Sequence, residues 1–199
     1  MATVVLVGTL DTKGAEYGWL RELLRGGGVE VLVVDTGVIG APHFAADVPR
    51  EEVARAAGAD LAALRAGGDR GAAVTAMARG AAEVVARLHE AGRLHCVMAI
   101  GGSGGISIAT RAMRGLPLGV PKLMVSSMAA GDVSPYVGYA DITMMYSVVD
   151  IAGINTISAP VLAKAADAAV GMAKGFAAAG RRALRPADLA GGERPLVRA

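Results

Sequence analysis

The chain has 199 residues, 53% of them hydrophobic, with 20 basic against 18 acidic side chains and a net charge of +2. That length buries enough apolar surface for one domain without disulfide staples, and scattered arginines with only 4% aromatics exclude a nucleic-acid surface built on charge clusters and base stacking. No apolar run reaches the roughly 20 residues of a membrane-spanning helix, so no membrane partner is expected.

In chain order, TVVLVG (3–8) reads as a first strand; it lacks the basic leader and cleavage pattern of a signal peptide. GAEYGWLRELLRGGG (14–28) reads as a helix, because Trp19, Leu20, Leu23 and Leu24 recur at helical spacing and the glycines stop it. VEVLVVDTG (29–37) has no polar alternation, which marks a strand buried on both faces of a parallel sheet. In the long connection that follows, VPREEVARAAG (48–58) carries helix punctuation, proline near its start and glycine after its end. ADLAALRAGG reads as another short helix.

DRGAAVTAMARGAAEVVARLHEAG (69–92) predicts the clearest helix. Val74, Met77, Ala78, Ala81, Val84, Val85 and Leu88 make one apolar stripe, and Arg79, Glu83, Arg87 and Glu90 fall on a solvated face. LHCVMAI (94–100) is a third strand, in which the single cysteine, Cys96, reads as a buried thiol. With no second thiol to pair it, a reducing, cytoplasmic setting is the default. ISIATRAMRG (106–115) reads as a helix, VPKLMVSS (120–127) and ADITMMYS (140–147) as the fourth and fifth strands. SAPVLAKAADAAVGMAKGFAAAG (158–180) is a last helix with Pro160 in its first turn. Residues 183–199, rich in Arg, Gly and Pro, read as a linker, leaving 1–182 as the domain.

Strands alternating with helices predict an α/β fold: a doubly wound, mostly parallel five-stranded sheet in a Rossmann-like three-layer sandwich. Such sheets bind ligands at the carboxyl ends of their strands, where the winding reverses. The loops after the strands are therefore the places to look.

After the first strand, GTLDTKGAE (8–16) crowds Thr9, Asp11, Thr12 and Lys13 into one turn. It is not a Walker A loop, because lysine precedes the glycine and Ala15 stands where a hydroxyl belongs; nor is it GxGxxG. Two readings fit: a phosphate site made of a helix N-terminus, hydroxyls and one ammonium, or a capping turn with Asp11 or Thr12 as the cap. After the second strand, Asp35, with Thr36 beside it, either accepts hydrogen bonds from ribose hydroxyls or starts an Asx turn.

After the third strand come Gly101, Gly102, Ser103, Gly104 and Gly105. Consecutive amides with no Cβ in the way, backed by the next helix, suit a phosphate or carboxylate; a plain tight turn is the alternative. Ser103 as a nucleophile is a third reading and needs a base. His89 falls on the surface of the long helix and His95 at the wrong end of the strand, which leaves His43. Ser126 and Ser127 add a hydroxyl pair after the fourth strand. Asp150 and Asn155 follow the fifth, to orient a ligand, bind a metal or cap the last helix. No His/Cys/Asp spacing specifies a metal, while magnesium carried on nucleotide phosphates stays open.

The blocks VGTLDTKG, GDRG, IGGSGGISIATRAMRGLPLGVPKLMVSSMAAG and SVVDIAGIN resemble the UPF0261 family, which includes the Tm-1-like ATP-binding domain, in order and spacing over residues 3 to 180. The resemblance implies a Rossmann-like domain that binds ATP together with magnesium, with Arg70 and Gly71 of the DRG block as further site positions. By the strand-end rule, Gly102, Ser103, Gly104 and Gly105 would hold the phosphates of such a ligand, Lys13 or Arg70 would neutralise charge and Asp35 would hold the ribose. Family chains carry a second α/β domain, whose start ERPLVRA (193–199) resembles. The resemblance thus implies a second α/β unit in cis or trans, an apolar surface left bare, and a homo-oligomer. Two alternatives stand beside nucleotide binding: half of an enzyme acting on a small carboxylate or acyl substrate, and a protein-interaction scaffold.

Overall fold

The computed structural model describes residues 1–180. Five strands, β1 (Thr3–Gly8), β2 (Glu30–Asp35), β3 (Cys96–Ile100), β4 (Lys122–Ser126) and β5 (Thr143–Tyr146), form one sheet in the order β2-β1-β3-β4-β5. Every pairing is parallel, so the sheet is all-parallel where mostly parallel was expected. All residues of β1, β3 and β4 are buried, as a sheet covered on both faces requires.

The helices are α1 (Gly14–Gly26), α2 (Arg50–Ala56), α3 (Leu61–Ala66), α4 (Arg70–Glu90), α5 (Ser103–Arg114), α6 (Ser134–Val137) and α7 (Ser158–Ala179). On one face, Val53 of α2, Leu61 of α3, the Met77–Leu88 stripe of α4 and Ile106 and Met113 of α5 pack on Val5, Val7, Val97 and Met124. On the other, Leu20 and Leu24 of α1 meet Leu162, Ala166 and Ala169 of α7 over Val4, Leu6, Met98 and Leu123. The result is the expected three-layer sandwich. Arg79, Glu83, Arg87 and Glu90 lie on the exposed side of α4, and Cys96 is buried.

Three local features differ from the sequence reading. Helix α5 begins at Ser103, three residues before the expected start, so its first turn is made of the glycine-rich segment itself. A 3-10 turn over Ser127–Ala130 and the short α6, with proline in its first turn, were not foreseen. The expected linker at 183–199 lies outside the described residues. Among the described residues, no helix is long and apolar enough to cross a membrane.

The β5 edge is the least covered part of the sheet. Tyr146 at its end, Met128 after β4, and Val148, Ile154 and Ile157 beyond β5 are all exposed apolar side chains. What fastens this edge is a buried cation. Lys122 at the start of β4 is 1% exposed. Its Nζ donates to Pro117 O at 2.8 Å, Val120 O at 2.9 Å and Asp141 Oδ1 at 2.6 Å, one acceptor for each ammonium proton. Asp141, just before β5, also accepts from Gly119 N. Partial burial works against its charge, but the Lys122 and Gly119 hydrogen bonds prevail and hold its carboxyl below the ordinary 3.8.

A carboxyl whose folded value is depressed stabilises the fold above its unfolded value and loses that contribution as pH falls through the folded one. Acid titration of stability should therefore show a loss below about pH 4 that Asp141→Asn diminishes. At neutral pH the same variant should cost about 1–2 kcal/mol in denaturant melts, less than a fully buried pair because Asp141 keeps 42% of its side-chain exposure.

Candidate functional site

The strand order reverses direction between β1 and β3, and in such sheets the loops leaving the two strands part and open a crevice. The β1–β3 ladder runs through Val4–Cys96, Val5–Val97 and Leu6–Met98. Past it, the fully buried Tyr17 of α1 takes over. Its hydroxyl lies 2.6 Å from Val7 O and 2.9 Å from Ile100 O, and accepts from Ile100 N at 3.0 Å. A Cβ on Gly8 would fall 1.9 Å from the Tyr17 ring, so only glycine leaves room for it.

Above this tie lies a cleft of about 710 Å³, a volume typical of small-molecule sites. Thr9, Asp11, Thr12, Lys13, Thr36, Arg70, Gly101, Gly102, Ser103, Gly104 and Gly105 all line it, so the loops after β1 and β3 share one rim. Asp150 lines it too. Asp35, Ser126 and Ser127 do not.

The floor of the cleft is the start of α5. Gly102 precedes the helix and no side chain caps it. A helix has its first amides without intrahelical partners, and here they face a lining of glycines. A Cβ on Gly102 would meet nothing within 4 Å, so the approach is open. A Cβ on Gly101 would lie 3.0 Å from Gly105 Cα, which makes the bare backbone at that point a packing requirement. Arg70, the first residue of α4, reaches the same place: a Cβ on Gly104 would stand 3.4 Å from Arg70 Nη2. Asp69 before it is used locally, accepting from Ala72 N as the cap of α4. Partial positive charge at the helix start and a guanidinium beside it make an anion-attracting corner.

The first loop is not the capping turn that one sequence reading offered. Neither Asp11 nor Thr12 caps α1; the cap position is Lys13, with no side-chain bond. Thr9 Oγ1 and Thr12 Oγ1 pair at 2.8 Å. Lys13 Nζ donates to Ile151 O in the segment after β5. Asp11 Oδ2 accepts from Val38 N at 3.0 Å, Ile39 N at 2.8 Å and Gly40 N at 3.2 Å, and so fastens the loop after β2. Arg65 Nε holds Val38 O, and Arg50 Nη1 holds Gly40 O. This irregular loop, with Leu64, Val74, Met77 and Ile108 opposite, forms the apolar wall of the cleft.

Asp35 lies beneath the rim, 1% exposed, with Oδ1 accepting from Leu10 N at 3.0 Å and Gly37 N at 2.8 Å. Burial raises its pKa, and the two backbone bonds only partly offset that. Its carboxylate holds the chain together rather than facing the cleft. Ser126 is buried and accepts from Met128 N. Asn155 Oδ1 accepts from Ile157 N and Ser158 N at the start of α7. None of the three histidines lines the cleft, so Ser103 has no imidazole beside it; His43 is exposed and packs by Gly14, and His95 Nδ1 accepts from Thr3 N at the opposite end of the sheet. Among the described residues, no three His, Cys, Asp or Glu side chains cluster as for a metal.

Sequence reasoning missed Arg65, Asp69, Leu64, Met77 and the 38–39 loop as parts of the cleft. The helical periodicity that marks Met77 as core gives no sign that one end of its helix borders a ligand space.

Residues 2–178 match the family described as "Uncharacterised protein family (UPF0261) N-terminal domain". A UPF0261 protein of Clostridium tetani is 45% identical over 174 residues, 87% of this chain and 43% of that one. One from Rhizobium meliloti is 44% identical over 174 residues, 87% of this chain and 42% of the relative. The ToMV resistance protein Tm-1(GCR237) of Solanum lycopersicum is 39% identical over 106 residues, 53% of this chain and 14% of that protein. The chain thus spans under half the length of these relatives. Among solved structures, the Francisella novicida lysine decarboxylase LdcF superposes with a TM-score of 0.44 at 12% identity, over 88% of this chain and 17% of the enzyme. At that level it carries no functional argument.

Removing the Tyr17 hydroxyl leaves Ile100 N without its partner in a buried position. Tyr17→Phe should lower stability by about 1–3 kcal/mol in denaturant unfolding. Hydrogen exchange should localise the gain in opening to the ends of β1 and β3.

Proposed function

The chain belongs to the UPF0261 family, and from that premise we propose that its cleft binds a phosphate-bearing nucleotide, ATP with magnesium, by its phosphates. The observation that carries this reading is the uncapped glycine start of α5 with the Arg70 guanidinium beside it. Free amides aimed along a helix axis and a fork of N–H donors are the two groups best matched to phosphate oxygens. Lys13, whose side chain is already tied to Ile151 O, is the weaker candidate for neutralising charge. Absence of a carboxylate cluster among the described residues fits a magnesium ion held by the phosphates and their water rather than by a protein cage. When bound, that ion would screen phosphate charge; Gly102, Gly104, Gly105 and Arg70 would bind and orient the phosphate chain.

A second reading has its own support. The wall of Val38, Ile39, Leu64, Val74 and Met77 is apolar, which suits the acyl part of a carboxylate whose head lies at α5. The exposed apolar side chains flanking β5 support the further reading that a second α/β unit, in cis or trans, or a second copy of the chain covers that edge.

Calorimetry with ATP and magnesium should give binding that weakens about tenfold or more in Arg70→Gln and in Gly102→Ala. Gly102 has open space at its Cβ position, so its variant should melt like the parent. Equal binding by parent and both variants would remove the phosphate role. Thermal stabilisation by a fatty or hydroxy acid and by no nucleotide would favour the acyl reading.

A further inference from the structure

We propose that Asp11 Oδ1 and Thr36 Oγ1 form a hydroxyl-recognition subsite in this cleft, taking a ribose hydroxyl of the nucleotide whose phosphates lie at α5. The inference rests on the nucleotide reading above and gives the cleft a second recognition point.

Among the described residues, three buried side-chain polar atoms lack a hydrogen-bond partner: Asp11 Oδ1, Thr36 Oγ1 and His89 Nδ1. Two of the three belong to residues that line the same cleft. Thr36 is 2% exposed, so its hydroxyl is not in free exchange with solvent. An unpaired buried polar atom destabilises a fold, and native structures hold few of them. Two in one cleft point to a group that arrives from outside.

Both residues stand at the carboxyl end of the β1–β2 pair and line the cleft. Asp11 Oδ1 lies 2.6 Å from where a Cβ on Gly37 would stand, and Gly37 follows Thr36 in the chain. The orientation of Asp11 is fixed, because its other oxygen receives the amides of Val38, Ile39 and Gly40. Oδ1 is thus held in place before any ligand arrives.

Their chemistry selects the ligand. An ionised carboxylate only accepts hydrogen bonds, while a threonine hydroxyl donates or accepts. A ligand hydroxyl meets both needs, donating to Asp11 Oδ1 and accepting from Thr36. A phosphate could accept from Thr36 but brings no proton to Asp11 and is repelled by its charge. The sheet's end supports the same assignment. The acid expected to read ribose, Asp35, does not line the cleft, and its Oδ1 is occupied by Leu10 N and Gly37 N. Of the polar side chains that line the cleft at the joint end of β1 and β2, Asp11 and Thr36 are the two with a buried atom lacking a partner.

The test compares ATP, 2′-deoxy-ATP, 3′-deoxy-ATP and inorganic triphosphate, each with magnesium, by calorimetry on the whole chain. The parent should bind ATP about tenfold or more tightly than at least one deoxy analogue and than triphosphate. Thr36→Val, which keeps shape and removes the hydroxyl, should erase the preference while leaving triphosphate binding unchanged. Thr36→Ser should retain it. Equal binding of all four ligands by the parent overturns the subsite and leaves the nucleotide reading standing. Failure of all four to bind removes the nucleotide reading, and the subsite with it. Because the parent alone separates these outcomes, a Thr36→Val chain that does not fold changes nothing.

Discussion

One phenolic oxygen sets the shape of the carboxyl rim. Between β1 and β3 the regular ladder stops after Leu6 and Met98. Beyond that point the strands must separate, or no crevice opens. They must also stay close enough that their loops face one another. The Tyr17 hydroxyl meets both demands by bridging Val7 O and the main chain of Ile100 from inside the α1 layer. Burial pushes its pKa well above the ordinary 10.0, so the group keeps its proton and remains a donor. Gly8 is the sequence counterpart of that bridge, since any side chain there would occupy the ring's place.

Everything at the rim is hung from this joint. The loop after β1 leaves next to it and sends Asp11 across to gather the loop after β2. The segment after β3 leaves on its other side and turns into α5 within two residues of the strand's end. Since the first turn of α5 is glycine and serine, its amides are bare. Since α4 starts beside it, the cation that complements those amides is the first residue of a helix rather than the tip of a loop. An anion-attracting corner built this way is held by the core packing of α4 on α5, not by the loops alone.

Much of this was legible in the chain. Largely apolar runs identify β1 to β4 because a strand covered on both faces has no polar side to show. The apolar stripe of α4 declares its buried face in the same direct way. The strand-end rule lists the loops after all five strands, and their residue content favours those after β1 and β3 before any coordinate is known. What stayed hidden has physical causes. The start of α5 was misplaced because glycine disfavours helix interiors in isolation, whereas Gly104 and Gly105 here stand in the first turn of the helix. The duty of Asp11 stayed hidden because its partners lie 27 to 29 residues away, and local turn chemistry describes only near neighbours. That chemistry does foresee the Asx bond from Gly37 N to Asp35, but not the one from Leu10 N, 25 residues away. The apolar wall stayed hidden because a side chain facing a ligand space and one facing the core obey the same periodicity.

The lone thiol has a practical consequence. Cys96 sits within β3, wholly enclosed, and burial pushes its pKa up to about 12. The thiolate is the form that attacks alkylating reagents, so the native chain is a blank background for thiol chemistry. A cysteine introduced at the mouth of the cleft would take a fluorophore or spin label alone. Slow modification of Cys96 itself would then count, in the same sample, how often the whole sheet comes apart.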